Sequence, residues 1–322
     1  MERQLPMDAR VRAGAAWRRN LWMIAPVYGG ILLLLLVGAI IRPSFDSFAH
    51  LGTLIVLSSF VMVVGFGQGL AILTGGLDLS IAYTMTFAAV ELSLVSQSPH
   101  GLLLWPVLWI LGLCVVIGVI NGLGIVLLKL SPIVMTLAMN TVLNGAVLVL
   151  TNGSPGGSSP GFFLQLMNGQ VLSSLPVLIF PLAGFVVIGV LLLGRTTFGR
   201  QVYAVGNSPT VARLSGVNVG AVTVAVYAIS ALSAGIAGMM LLGFANQSFV
   251  GMGDQYLLPS IAAVVIGGAS ALGGRGRYIG TVGGAILLEV LSAVLGAVTQ
   301  SAAVQDILYG LVILLAMVAV RS

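Results

Sequence analysis

The sequence predicts an all-α integral membrane protein of about ten transmembrane helices, with broken helices, a possible inverted repeat and both termini in the cytoplasm. Three observations predict it. Only 7 % of the 322 residues are charged and 58 % are hydrophobic, against about 25 % charged in a soluble globular domain. Apolar runs of about 20 residues, the length that crosses the hydrocarbon, recur from end to end. The basic residues between those runs fall almost wholly on one side. The net charge of +5 does not indicate a nucleic-acid partner, because five of the thirteen cations crowd the first twenty positions and the rest are scattered between apolar runs.

Residues 1–20 form a basic segment with Arg3, Arg10, Arg12, Arg18 and Arg19. The apolar run that follows is too long for a signal-peptide core, and "RPSFDSF" offers no small-residue cleavage site. It reads as an uncleaved first span, 21–41, opening a transmembrane domain over 21–322. The remaining spans fall near 51–73, 79–97, 101–128, 132–151, 175–194, 221–243, 257–273, 278–297 and 303–320. The eighth is short and runs into "GGASALGGRGR", which predicts a broken or partly re-entrant helix. With the N-terminus inside, Lys129, Arg195, Arg200, Arg213, Arg275, Arg277 and Arg321 join the N-terminal arginines in the cytoplasm, and Arg42 alone lies outside. That asymmetry supports the orientation and the even number of spans.

The outer segments differ in character. "TNGSPGGSSPGFFLQ" reads as a surface loop from its Gly, Pro and Ser content, and "FANQSFVGMGDQY" is polar with one charge, Asp254. The stretch 195–220 is the longest basic cytoplasmic connection. Among 43 glycines, Gly65 and Gly69, Gly118 and Gly122, and Gly280 and Gly284 stand four apart on single helix faces, a spacing that suits close helix packing in lipid.

Several chemistries are not expected. The only lysine, Lys129, sits in "LLKLSP" with no phosphate-binding loop before it, so no ATPase site and no cofactor are predicted. The single cysteine, Cys114, lies in an apolar run and excludes an internal disulfide or zinc spacing. His50 and His100 read as solvated loop residues, and no metal site is expected. Glu91 and Glu289 lie inside spans, with Asp78 and Asp306 near span ends. These acids keep an ion-coupled transporter open as an alternative, although no mid-span cation pairs with them.

Two helix breaks stand out. In "GLAILTGGLDLSIAYTMTFAAV" (69–90), Gly75 and Gly76 stop one helix, and Asp78 or Ser80 can cap the next. "GMGD", Gly251 to Asp254, repeats the Gly-x-x-Asp spacing of "GGLD", on a span that runs the other way. Paired breaks of this kind mark a translocation path in transporters built from inverted repeats. A third feature is "AVGNSPTVARLSGV". Ser208 fits an N-cap, Pro209 the first helical position and Gly216 the residue beyond the last turn. The seven-residue helix between them is too short to stand alone in water, so it must pack on something. Val211 and Leu214 share one face of it, flanked by Arg213.

With these motifs in view, the chain resembles the permease subunits of ribose-type ATP-binding-cassette sugar importers. "LTGGLDLS", "FGRQVYAVGNSPTVARLSGV", "LLPSIAAVVIGGASALGGRGRYIGTVGGAILLEVL" and "ILYGLVILLAMV" are similar to signatures of that family, and the likeness covers roughly residues 45–318. It departs at Leu257 and Pro259, where many sugar permeases carry an acidic pair, and in the outer loop "SPGGSSPG". The resemblance implies a bacterial inner-membrane importer for a monosaccharide; a nucleoside, a signalling sugar derivative or a branched-chain amino acid are alternative cargoes. It implies partner ATPase subunits, a periplasmic sugar-binding protein and a second permease copy, identical or not. It also implies that the helix at Pro209, with Gly199 and Arg200 before it, enters a cleft of the ATPase. Phe66, Tyr83, Phe87, Phe244, Asn246 and Gln247 offer aromatic faces and amides for a substrate path.

Overall fold

A computed structural model describes residues 8–42, 45, 47–95, 103–154, 156–171, 175–299, and 301, 304, 307–308, 310–311 and 314. The helices are α1 (Asp8–Ile41), α2 (Phe48–Leu73), α3 (Ile81–Val95), α4 (Leu104–Leu127), α5 (Pro132–Thr151), α6 (Gly161–Asn168), α7 (Ile179–Arg195), α8 (Thr197–Asn207), α9 (Pro209–Leu214), α10 (Val219–Ala245), α11 (Leu257–Ile266) and α12 (Tyr278–Val298). A 3-10 turn, Asp254–Tyr256, leads into α11, and a two-residue hairpin, β1 (Gln170–Val171) with β2 (Leu175–Pro176), lies between α6 and α7. Among the described residues five helices, α2, α4, α5, α10 and α12, are long and apolar enough to cross a membrane, or six if the bent pair α7–α8 is one span.

The centre is α2 against α10. Gly76 meets Tyr227, Gly67 meets Ser230 and Phe60 packs on Phe244, so the two helices run antiparallel. Each carries a short helix of the other's unit. Along α3, Asp78 lies beside Ser230 and Met85 against Gly238, so α3 runs parallel to α10. Tyr256 packs on Phe60 and Val264 faces Gly69, so α11 runs parallel to α2. Long helix, break and short helix are thus exchanged between two units of opposite direction, as an inverted repeat requires. Helix α11 has 10 residues, about 15 Å at 1.5 Å per residue, half of the hydrocarbon.

The glycine pairs hold this centre together. Gly118 and Gly122 of α4 rest on the α10 backbone at Tyr227, Ala228 and Val224, and Gly280 and Gly284 of α12 rest on the α11 backbone at Gly267 and Ala263. Gly65 and Gly69 face Thr281 and Val264. A side chain at the backbone contacts would push the helices apart, which is why small residues favour association in lipid. Burial falls outward from here: 89 % of the apolar window of α2 is buried within the chain, but only 22 % of that of α5.

Several expectations change. The first helix begins at Asp8, inside the segment read as a basic extension. His50 is not in a loop; it lies in the first turn of α2, capped by Ser47 and set against Phe45 with ring centroids 4.6 Å apart. The Gly- and Ser-rich outer stretch contains α6, whose Phe163 and Met167 are buried against Gly243 of α10; an apolar face won over the local turn composition. The basic stretch 195–220 holds a second helix, α8, before the short one expected at Pro209. The span at 257–273 is helical only through Ile266. Residues 1–7, His100, Asp306 and most of the last span, 303–320, lie outside the described residues.

Candidate functional site

The first break follows Leu73. Gly75 adopts φ +82°, a conformation that favours glycine, and Gly76 sits where a side chain would strike the Tyr227 hydroxyl and Pro132. Of the two capping candidates neither side chain accepts an amide within α3; Asp78 instead braces the break, its Oδ1 accepting the Ser80 amide at 3.0 Å and the Ser80 hydroxyl at 2.6 Å, and the α3 amide of Tyr83 is accepted by Asn140 Oδ1 at 3.3 Å. Ser80 Oγ in turn accepts from Asn121 Nδ2 at 2.9 Å. Leu79 N donates to Thr136 Oγ1 at 3.0 Å, and the Tyr227 hydroxyl donates to Leu77 O at 3.4 Å. Asp78, Ser80, Asn121 and Thr136 are fully buried. Among the described residues Asp78 Oδ2, Asn121 Oδ1 and Ser230 Oγ have no hydrogen-bond partner; Ser230 stands beside Asp78 without hydrogen-bond geometry.

The second break follows Ala245. Asn246 ends α10 in a left-handed conformation, φ 54°, and its Oδ1 accepts the Ser159 amide at 3.2 Å. Gly251 has φ +77°, matching Gly75. The chain then turns inward: Gly253 N donates to Thr86 Oγ1 at 3.1 Å, and Gly253 rests on Ala82. The stretch read as an outer surface segment therefore descends along α3. Asp254 is exposed there, within electrostatic reach of Tyr83.

Helix α9 is built as its sequence suggests, and α8 leads into it. Thr196 caps α8 by accepting from Gly199 N at 3.1 Å, and α8 turns 64° from α7 at that point. Gly199 lets the bend close on the Leu192 and Leu193 carbonyls. Arg200 is exposed, with Nη1 3.5 Å from Arg195 O. Ser208 Oγ accepts from Val211 N at 3.3 Å, with Pro209 in the first turn. Gly216, at φ +84°, closes the other end: Gly216 N donates to Arg213 O and Val217 N to Ala212 O, both at 3.0 Å, the Schellman arrangement. The helix covers six residues rather than seven. Ala212 is buried and anchors it, while Val211 and Leu214 are 60 % and 84 % exposed.

Behind α9, α8 is tied to the turn before α12. Tyr203 Oη donates to Gly276 O at 2.7 Å and Asn207 Nδ2 to Gly274 O at 3.3 Å. Burial raises the Tyr203 phenol above its usual pKa, so it remains a donor. Gly274 N donates to Leu73 O at 2.9 Å, the last residue of α2. Gly206 has backbone of both Leu73 and Gly274 where a side chain would be. Helix α8, through its side chains, is thus tied to the turn before α12, and that turn is bonded main chain to main chain to the end of α2, next to the first break.

The proposed path residues separate into two groups. Phe66 packs edge-on against Phe185 and Tyr278 inside the core. Phe87 is buried with Ile117 and Met139. Tyr83 is half-buried beside Asp254, while Phe244, Asn246 and Gln247 are exposed at and just beyond the C-terminal end of α10. Sequence reasoning missed Asn121, Thr136, Asn140, Tyr203 and Asn207. Polar residues at 136, 140 and 144, four apart on an apolar helix, were the available signal. Glu91 and Glu289 are partly buried. Among the described residues no three His, Cys, Asp or Glu side chains gather as a metal site.

Long apolar helices, two interior breaks and a capped polar-end helix pair define a multi-pass membrane protein with a transporter's architecture. Residues 50–317 match the family described as branched-chain amino acid transport system / permease component, and the chain belongs to that family. It is 34 % identical to the ribose import permease protein of Bacillus subtilis, over 91 % of each chain. It is 32 % identical to the fructose import permease protein of Rhizobium meliloti, over 89 % of this chain and 81 % of the other. It is 30 % identical to the galactose/methyl galactoside import permease protein of Escherichia coli, over 90 % and 91 %. No solved structure matches it.

Proposed function

We propose that the chain is the permease subunit of an ATP-binding-cassette importer in a bacterial inner membrane, translocating a monosaccharide handed over by a periplasmic binding protein. The observation that carries this is the likeness over nine-tenths of the chain to permeases named for ribose, fructose and galactose. Ten crossings with both termini in the cytoplasm agree with the basic residues on one side. Five of the crossings are the long helices; α1, α7 and 303–320, together with α3 and α11 each joined to the break before it, supply the others. Two copies, or this chain and a close relative, enclose the path, which suits the sparse burial of α5.

The chain carries no ATPase site, so the energy comes from partner subunits. Val211 and Leu214, exposed on an anchored helix beside Arg213, are the part of the cytoplasmic face shaped to enter such a partner. Reconstitution with its ATPase and binding protein, followed by ATP-dependent uptake of ribose, fructose and galactose, tests the reading. Leucine belongs in the same panel, because the family description names branched-chain amino acids. Uptake of leucine alone would move the cargo to that class, and concentration of cargo without any ATPase would end the proposal.

A further inference from the structure

The middle of the membrane carries a second group of polar residues, beside the first turn of α3. Asn140 is the ninth residue of the 20-residue α5, which puts it near the bilayer midplane. Its Oδ1 accepts the Tyr83 amide at 3.3 Å, so the first turn of α3 lies at the same depth. The second break comes down to that turn, through Gly253 on Thr86 and Ala82, and brings Asp254 to Tyr83. Asn140 thus holds the backbone of Tyr83, while the Tyr83 hydroxyl and the Asp254 carboxylate both lie beside Gly251, so α3, α5 and the second break bring polar residues to the same depth. Tyr83 and Asn140 are partly exposed and Asp254 is exposed.

Lipid is excluded as the neighbour of such a set. An ionisable side chain at mid-depth faces a water-filled cavity or protein, and irregular backbone survives there only where it lines one. The same holds for Asn144, one turn beyond Asn140 and also partly exposed. This polar face suits the wall of an aqueous passage enclosed by protein.

We propose that Tyr83, Asn140 and Asp254 form the polar station at which the cargo pauses in the membrane, and that the station selects neutral polyhydroxylated sugars. This rests on the importer reading above. A carboxylate accepts from hydroxyls. The Asn140 amide, with its oxygen held by the Tyr83 backbone, has its nitrogen left to donate. The Tyr83 ring offers an apolar face for sugar C–H groups, the usual mix of a small-molecule site. The single negative charge disfavours phosphorylated sugars at the same place.

The test uses the assembled complex in proteoliposomes, with radiolabelled ribose, fructose, galactose and ribose 5-phosphate as probes. Asp254→Asn and Asn140→Ala should each lower uptake of the transported sugar about tenfold per ATP hydrolysed, a ratio that reduced folding does not change. Tyr83→Ala should alter the ranking among the three sugars. Ribose 5-phosphate should not enter with the unsubstituted chain. In parallel, Asp254→Cys should react with an impermeant thiol reagent, and the transported sugar should slow that reaction; the native Cys114 is fully buried and serves as the unreactive control. Unchanged ratios and ranking, or an unreactive Asp254→Cys in the assembled complex, overturns the station. Failure of the unsubstituted complex to take up any sugar instead overturns the importer reading.

Discussion

Asp78 and Gly284 show how much one residue carries when its neighbours are backbone. Asp78 Oδ1 accepts both the amide and the hydroxyl of Ser80 in a fully buried site. Asp78→Ala leaves two buried donors unpaired, at about 1–3 kcal/mol for each orphaned group. A thermal unfolding scan of the detergent-solubilised protein should show a clear drop in midpoint; an unchanged midpoint would mean that the break is held by something else. Gly284→Val places a side chain into the Ala263 carbonyl, a backbone that cannot step aside. It should lower the yield of folded protein more than Gly145→Val, where a side chain meets open space. Residues whose partners are close in sequence were legible: Ser208, Pro209 and Gly216 each do what their types suggest. Asn140 was not, because its bond to Tyr83 spans 57 positions and nothing local points to it.

The helix pair α8–α9 concentrates most of the testable behaviour of single elements. Six residues do not make a stable helix alone, so the caps and the Ala212 anchor decide whether α9 exists. Ser208→Ala should destabilise it by about 1 kcal/mol, read as faster hydrogen exchange at the Val211 amide while the long helices keep theirs. Leu214→Asp should leave membrane insertion intact yet abolish ATP-driven uptake; normal uptake would remove the docking role from this face. The bonds from Tyr203 and Asn207 suggest where a push on α9 travels next, into the end of α2 beside the first break. Tyr203→Phe with Asn207→Ala should therefore reduce uptake per ATP while the ATPase still co-purifies, and equal ratios would rule that route out. The sequence marked α9 through its cap residues. It hid α8, whose short amphipathic stretch resembles a basic loop until Val202 and Val205 are seen buried. It hid α6 for the same reason, amid Gly, Pro and Ser.

For the molecule as a whole, orientation is the first thing to measure. Ser158 and Thr210 are both exposed, at the outer and inner ends of the proposed topology. A cysteine at Ser158 should react with an impermeant reagent added to intact cells, and one at Thr210 only after the membrane is opened. The opposite pattern would invert the protein. The class of fold was readable at this scale, since composition and run length alone separate a membrane bundle from a soluble domain. The depth of the breaks was not. "GGLD" and "GMGD" are alike on paper, yet Asp78 is fully buried and Asp254 is exposed, because burial depends on which long helix lies alongside. That exchange of short helices has a mechanical corollary. Since α3 rides on α10 while α11 rides on α2, any tilt between the two long helices must drag the half-helices in contrary senses. A doorway widening toward one compartment narrows toward the other, much as in a canal lock. Passive sugar leakage through the resting protein should accordingly stay near the level of empty vesicles.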